Sequence, residues 1–348
     1  MSNPRQPAID ALKVVASQLI VLHHLAAYGP VAETMYGNAP GPMGWLYDYG
    51  RMAVQVFLVL GGYLAAQSLT PAMAGSATVL WRTLWRRYLR LAPPFLVALL
   101  LALGAAAVVR PWLGDDFVPG TPTLQQLLAH AMLLHEVLGV EALSAGVWYV
   151  AIDFQLHALL AMLLWLGQRG GQRWPAMVLV LLATAASLLL WNRNPGLDDW
   201  SIYFFGAYGL GVAARWAGQW GSTSRRAWWL LAMALVGLLA LALEYRTRIA
   251  LALSVALWLG LTQGRTFTLA PTWLERVLET FGRSSYALFL IHFPVLLLGN
   301  ALFAALGWSS PAAGLAMYAA LWAVSVALGW AFERWVEAPL GRWVKPRK

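Results

Sequence analysis

The sequence predicts an all-α polytopic membrane protein of about ten transmembrane helices with both termini in the cytoplasm. Three observations carry that prediction. The 348 residues are 60% hydrophobic and 11% charged, with a mean hydropathy of +0.62, whereas a soluble domain carries about 25% charged residues. Apolar runs of about 20 residues recur between short connectors, the length a helix needs to cross a bilayer, and the alternating segments of about ten that a barrel needs are missing. With the N-terminus inside, only Arg51, Arg110, Arg193, Arg246 and Arg248 of the 24 Lys and Arg fall outside, and such asymmetry sets orientation.

The ten spans are expected at 8–28, 51–70, 90–110, 147–167, 175–191, 200–216, 228–243, 248–263, 284–306 and 312–335. They make one transmembrane domain over 1–348, with no separate soluble domain. The net charge of +9 invites a nucleic-acid reading, but in a polytopic chain Lys and Arg report topology first, so no nucleic-acid partner is expected. The absence of cysteine removes disulfides, thiolate metal sites and a thiol nucleophile.

The first span, AIDALKVVASQLIVLHHLAAY, organises the rest. At about 100° per residue, Asp10, Lys13, Ser17 and His24 fall within a sector of roughly 60°, with His24 about 16 Å beyond Lys13 along the axis. His23 points elsewhere. Ionisable groups in a span are costly unless they face a bundle interior or a wet cavity, so the stripe marks a functional site. The structural alternative pairs Asp10 with Lys13 at i,i+3 and leaves His24 as an interhelical hydrogen-bond partner.

Residues 29–50, rich in Gly, Pro and aromatics, read as an outer loop. In the second span, Gly61 and Gly62 allow close backbone approach, either by another helix or by a ligand's acyl chain or pantetheine arm. The cytoplasmic segment WRTLWRRYLRLAPPF aligns Arg82, Arg86, Arg87 and Arg90 on one basic face ended by Pro93 and Pro94. That face suits anionic membrane lipids or a polyanionic ligand, since guanidinium forks match phosphate oxygens.

An interfacial or re-entrant helix is expected near 124–139, in a connector that also carries Asp115, Asp116, Glu136 and Glu141. His130 and His135, five apart, fall on different faces of such a helix, which argues against a shared metal, and no metal is expected. In the fourth span Asp153 and His157 stack at i,i+4, where a carboxylate orients the ring. Spans from 175 to 262 hold few ionisable groups and read as scaffold. A surface helix follows in the stretch GRTFTLAPTWLERVLETFGR. The ninth span aligns Ser285 with His292 ahead of Pro294, and the chain closes with Glu333 and Glu337 one turn apart.

Together these motifs resemble the membrane-bound acyltransferase 3 family, whose members O-acylate bacterial surface carbohydrates and some small molecules. Lys13 and His24 match its basic residue and histidine in the first helix, with Asp10 as the preceding acid. VFLVLGGYL is similar to its glycine-containing second-span segment, Gly61 standing where serine is usual. Arg87, Arg90 and Pro93 match Arg-x-x-Arg and proline. Trp148 and Asp153 match its Trp-to-acid motif, with Asp for the more usual Glu and His157 where Tyr is common. SYALFLIHFP supplies Ser285, Tyr286, His292 and Pro294, and Glu337 with Pro339 match the closing acid-x-proline.

The resemblance implies a multi-pass enzyme of the bacterial inner membrane that modifies polysaccharide. It would move an acyl group, acetyl being the expected one, from cytoplasmic acetyl-CoA or another acyl-CoA to a hydroxyl of a carbohydrate or lipid-linked acceptor. Arg86, Arg87 and Arg90, with Gly61 and Gly62, would then serve the donor. Lys13 would neutralise charge, and His24 would act as general base or transient acyl carrier. The rival class is a transporter or lipid flippase, which would show internal repeats and paired broken helices.

Overall fold

The computed structural model describes residues 7–69, 76–114, 117–265 and 272–343, and no strand occurs among them. In chain order the helices are α1 (Pro7–Ala27), α2 (Gly29–Asn38), α3 (Pro40–Tyr49), α4 (Val54–Leu69), α5 (Ala77–Val109), α6 (Leu124–Ala131), α7 (Trp148–Gln168), α8 (Trp174–Leu189), α9 (Ser201–Ala217), α10 (Thr223–Leu243), α11 (Thr247–Thr262), α12 (Thr272–Arg283), α13 (Ser285–Ala305), α14 (Pro311–Phe332) and α15 (Ala338–Trp343). A π-helical turn, Glu333–Glu337, joins the last two. Among the described residues, eight stretches are long and apolar enough to cross a membrane: α1, Pro40–Leu69, α5, α7, Trp174–Arg193, α10, α13 and Pro311–Trp343. The other two expected spans are also helices, but α9 has 17 residues and α11 has 16, short of the usual length of about 20. Asp115, Asp116 and the basic end 344–348 lie outside the described residues.

Three local expectations are corrected. Residues 29–50 form α2 and α3 rather than a loop, because Pro30 and Pro40 sit in first turns, where a missing N–H costs nothing. The buried Asn300 side chain accepts from the Val31 N–H at 3.0 Å and caps α2. Pro93 and Pro94 do not end the basic segment: α5 runs through them for 33 residues, as membrane helices tolerate when neighbours take up freed backbone groups. The helix expected at 124–139 covers only Leu124–Ala131. It opens with a Thr123–Gln126 capping box and is followed at Leu133 by a left-handed φ of 58° that no helix continues through.

The described chain divides into two compact units, each drawn from separated stretches, the boundary in α5 falling between Leu89 and Arg90. In the first unit α1 packs among α2, α3, α12, α13 and α14. Val21, Leu25, Met35, Ala106, Leu296 and Leu321 belong to its apolar core. In the second unit α4 packs along α9, which also meets α8 and α11. Association inside lipid depends on close packing rather than on the hydrophobic effect, and the glycines supply it. A Cβ at Gly62 would lie 1.9 Å from the Tyr208 carbonyl oxygen, and one at Gly211 equally close to that of Val59. Any side chain at either position would force the two helices apart.

Candidate active site

In the first unit α1 and α13 bring two predicted residues together. His24 Nδ1 and His292 Nε2 lie 2.7 Å apart, both rings buried and their planes within 12°. The hydrogen-bond partners assign the tautomers. His292 Nδ1–H donates back to the Leu288 carbonyl at 3.3 Å, so His292 Nε2 carries a lone pair and accepts from His24 Nδ1–H. His24 therefore keeps an unprotonated Nε2. Its ring stacks on Tyr28. A Cβ at Gly146 would lie 3.5 Å from His24 Cε1 and 3.1 Å from Phe289 Cζ, so this glycine keeps a side chain off the imidazole. Neither Tyr28 nor Gly146 was marked by its sequence context. His23 turns to the Leu46 carbonyl at 3.2 Å, as the helical phase predicts.

The rest of the α1 stripe is not gathered at His24. Lys13 Nζ is 3.4 Å from Asp10 Oδ1, and Ser17 Oγ bonds the Val14 carbonyl at 2.9 Å on its own helix. These contacts are the ones the structural alternative describes: an i,i+3 pair near one end and His24 in an interhelical hydrogen bond near the other.

The second unit holds a different cluster. Arg87 Nη2 donates to Asp153 Oδ2 at 2.5 Å, and His157 is buried one turn further along α7. A Cβ at Gly61 would lie 3.7 Å from Asp153 Oδ1 and 3.1 Å from the Tyr208 ring. Arg87 thus turns away from the basic face on which the sequence put it, whereas Arg82, Arg86 and Arg90 are exposed. Tyr208, fully buried, lies in a segment read as scaffold. Its only signal is the small-residue spacing in FGAYGLG.

The remaining candidates are dispersed. Trp148 opens α7, half-buried. Ser285 Oγ bonds the Gly282 carbonyl at 3.0 Å, and the Tyr286 hydroxyl donates to the Leu91 carbonyl at 3.0 Å. Glu337 ends the π-helical turn, with Oε2 buried and without a hydrogen-bond partner among the described residues. Glu333, at its start, pairs with Arg283 at 2.9 Å.

Because α6 stops early, His130 and His135 meet after all, stacked with centroids 4.1 Å apart and planes within 4°. His130 Nδ1–H donates to the Gln126 carbonyl at 2.7 Å while its Nε2 accepts the Leu143 N–H at 3.2 Å, so the neutral ring holds the following loop. Burial pushes both histidines down, His135 to about 4 with help from the neighbouring ring. The unfolded chain takes a proton near 6.5, so the pair costs nothing above that pH, and stability falls as pH drops from 6.5 toward about 4. The melting temperature is expected to fall more steeply over that range in the wild type than in His135→Leu, and parallel slopes would refute this account. Among the described residues no group of three His, Asp or Glu is placed to hold a metal.

A family model for an acyltransferase domain, of the acyltransferase 3 type, matches residues 6–334. No curated protein and no solved structure matches the chain.

Proposed function

Since the chain belongs to the acyltransferase 3 family and is a membrane protein, we propose that it moves an acyl group, acetyl first, from cytoplasmic acyl-CoA to a hydroxyl of a carbohydrate or lipid-linked acceptor at the bacterial inner membrane. The observation that carries this reading is the His24–His292 contact, 2.7 Å long and buried between two membrane helices. A neutral imidazole with its Nδ1–H held and its Nε2 free is the state a general base needs. In the proposed step His24 Nε2 takes the proton of the acceptor hydroxyl, the oxygen attacks the thioester carbonyl carbon, the C–S bond breaks, and the proton leaves with the coenzyme A thiolate.

His292 orients His24, and the Asp10–Lys13 pair balances charge at the start of the same helix. Arg86 and Arg90, both exposed, hold donor phosphates, while Arg87 serves the donor from its pair with Asp153. Losing one guanidinium from a phosphate clamp is expected to weaken donor affinity about tenfold. Acetyl-CoA titration of purified Arg86→Ala checks this, and unchanged affinity would remove Arg86 from the clamp.

The reading as a whole is tested with radiolabelled acetyl-CoA on membranes holding the overproduced protein. Label is expected in an acceptor fraction, with release of one coenzyme A per acetyl transferred. Movement of a glycan or lipid across the membrane without coenzyme A release would instead establish a transporter.

A further inference from the structure

In the second unit Asp153, His157 and Tyr208 lie around Arg87, with Gly61 against Asp153 and Tyr208. Asp153 takes Arg87 Nη2. Gly61 lets the Tyr208 ring pack close beside the ion pair, since a side chain there would begin 3.1 Å from the ring and 3.7 Å from Asp153 Oδ1. His157 and Tyr208 both lie within electrostatic reach of Arg87.

Three buried atoms of this cluster have no hydrogen-bond partner among the described residues: Arg87 Nε, His157 Nδ1 and the Tyr208 hydroxyl. Buried polar groups are nearly always paired, so three unpaired at one place need an explanation. Their chemistry specifies the missing partner. Arg87 Nε–H and the phenol both donate, His157 Nδ1 donates in one tautomer, and the Asp153 carboxylate already takes Arg87. The charges of Arg87 and Asp153 cancel, so the cluster offers hydrogen bonds without net charge. A phosphate would face the Asp153 carboxylate, whereas an uncharged carbonyl oxygen would not.

We propose that Arg87 Nε, the Tyr208 hydroxyl and His157 Nδ1 form a binding site for an amide carbonyl of the acyl donor's pantetheine arm. This rests on the acyl-CoA reading above and adds Tyr208 and His157 as residues that touch the arm rather than the phosphates.

Tyr208→Phe keeps the ring against Gly61 and removes one oxygen, and three measurements on the purified protein decide the matter. Affinity for acetyl-CoA is expected to fall about tenfold. Affinity for adenosine 3′,5′-bisphosphate, which has phosphates but no pantetheine, is expected to stay unchanged. The melting temperature is expected not to fall, because no hydrogen bond of the resting protein is lost. His157→Leu is expected to repeat the selective loss. Unchanged acetyl-CoA affinity in Tyr208→Phe overturns the proposal, and a lower melting temperature beside it would show that a trapped water holds the hydroxyl. Equal loss for both ligands overturns it as well. Wild-type protein that binds no acetyl-CoA overturns this site and the acyl-CoA reading together, whereas an active His24→Ala variant removes the base and leaves this site standing.

Discussion

Replacing His24 with Ala is expected to lower the rate of acetyl transfer by about 10² to 10⁴-fold, the contribution general base catalysis typically makes, while leaving donor affinity and insertion unchanged. The expectation follows from the hydrogen bonds: Leu288 fixes His292, His292 fixes His24, and only His24 Nε2 is left to accept a proton. His292→Phe should then act through orientation, since it leaves His24 Nδ1–H unpaired in a buried place and frees the ring to adopt the other tautomer. A loss of about 10 to 100-fold is expected. His292→Gln, which keeps an acceptor, is expected to recover part of it. The two roles separate in the pH profile: His292→Phe shifts the acidic limb, along which the base becomes protonated, and His24→Ala abolishes it. Transfer at near wild-type rate in His24→Ala would remove the general base from the mechanism.

How much of this was legible in the sequence depended on the physics at each place. Ionisable residues in an apolar run stand out because lipid makes them expensive, so His24, Asp153 and His292 were visible as candidates. Which of them meet was not visible, because His24 and His292 are 268 residues apart and helical phase ranks faces only within one helix. The split of the α5 arginines was hidden for the same reason: an i,i+3 or i,i+4 spacing puts Arg87 beside Arg90, and only Asp153 on another helix turns it inward. α2 and α3 were missed because Pro and Gly normally mark loops, yet a Pro in the first turn is compatible with a helix. The His130–His135 stack was missed because the apolar period continues past Ala131 while the backbone turns at Leu133. Tyr208 carried no sequence signal beyond its small neighbours, because one tyrosine in an aromatic-rich membrane helix is unremarked until a buried ion pair is found beside it.

Breaking the Arg87–Asp153 pair is expected to be the most damaging change to the fold of the second unit. Removing one partner strands the other charge in a site where only 24% of the Arg87 side chain and 10% of that of Asp153 are exposed. Such a loss costs about 3 to 5 kcal/mol when burial is complete, and about 3 kcal/mol at this degree of exposure. Arg87→Met and Asp153→Leu should therefore both lower the melting temperature in detergent strongly. The double substitution should recover most of the loss, because two apolar side chains of similar volume leave no charge to desolvate. That pattern separates structure from function: the double variant folds as the wild type does, yet it should still fail to bind acetyl-CoA normally, since Arg87 Nε has gone with the pair. Asp153→Glu tests the fit from the other side. The acid keeps its charge, but the extra methylene is pushed toward Gly61 and the Tyr208 ring, so the charge pair survives and a smaller loss of about 1 to 3 kcal/mol from overpacking is expected. Full recovery of donor binding in the apolar double variant would make the pair a purely structural device and leave the donor to Arg86 and Arg90 alone.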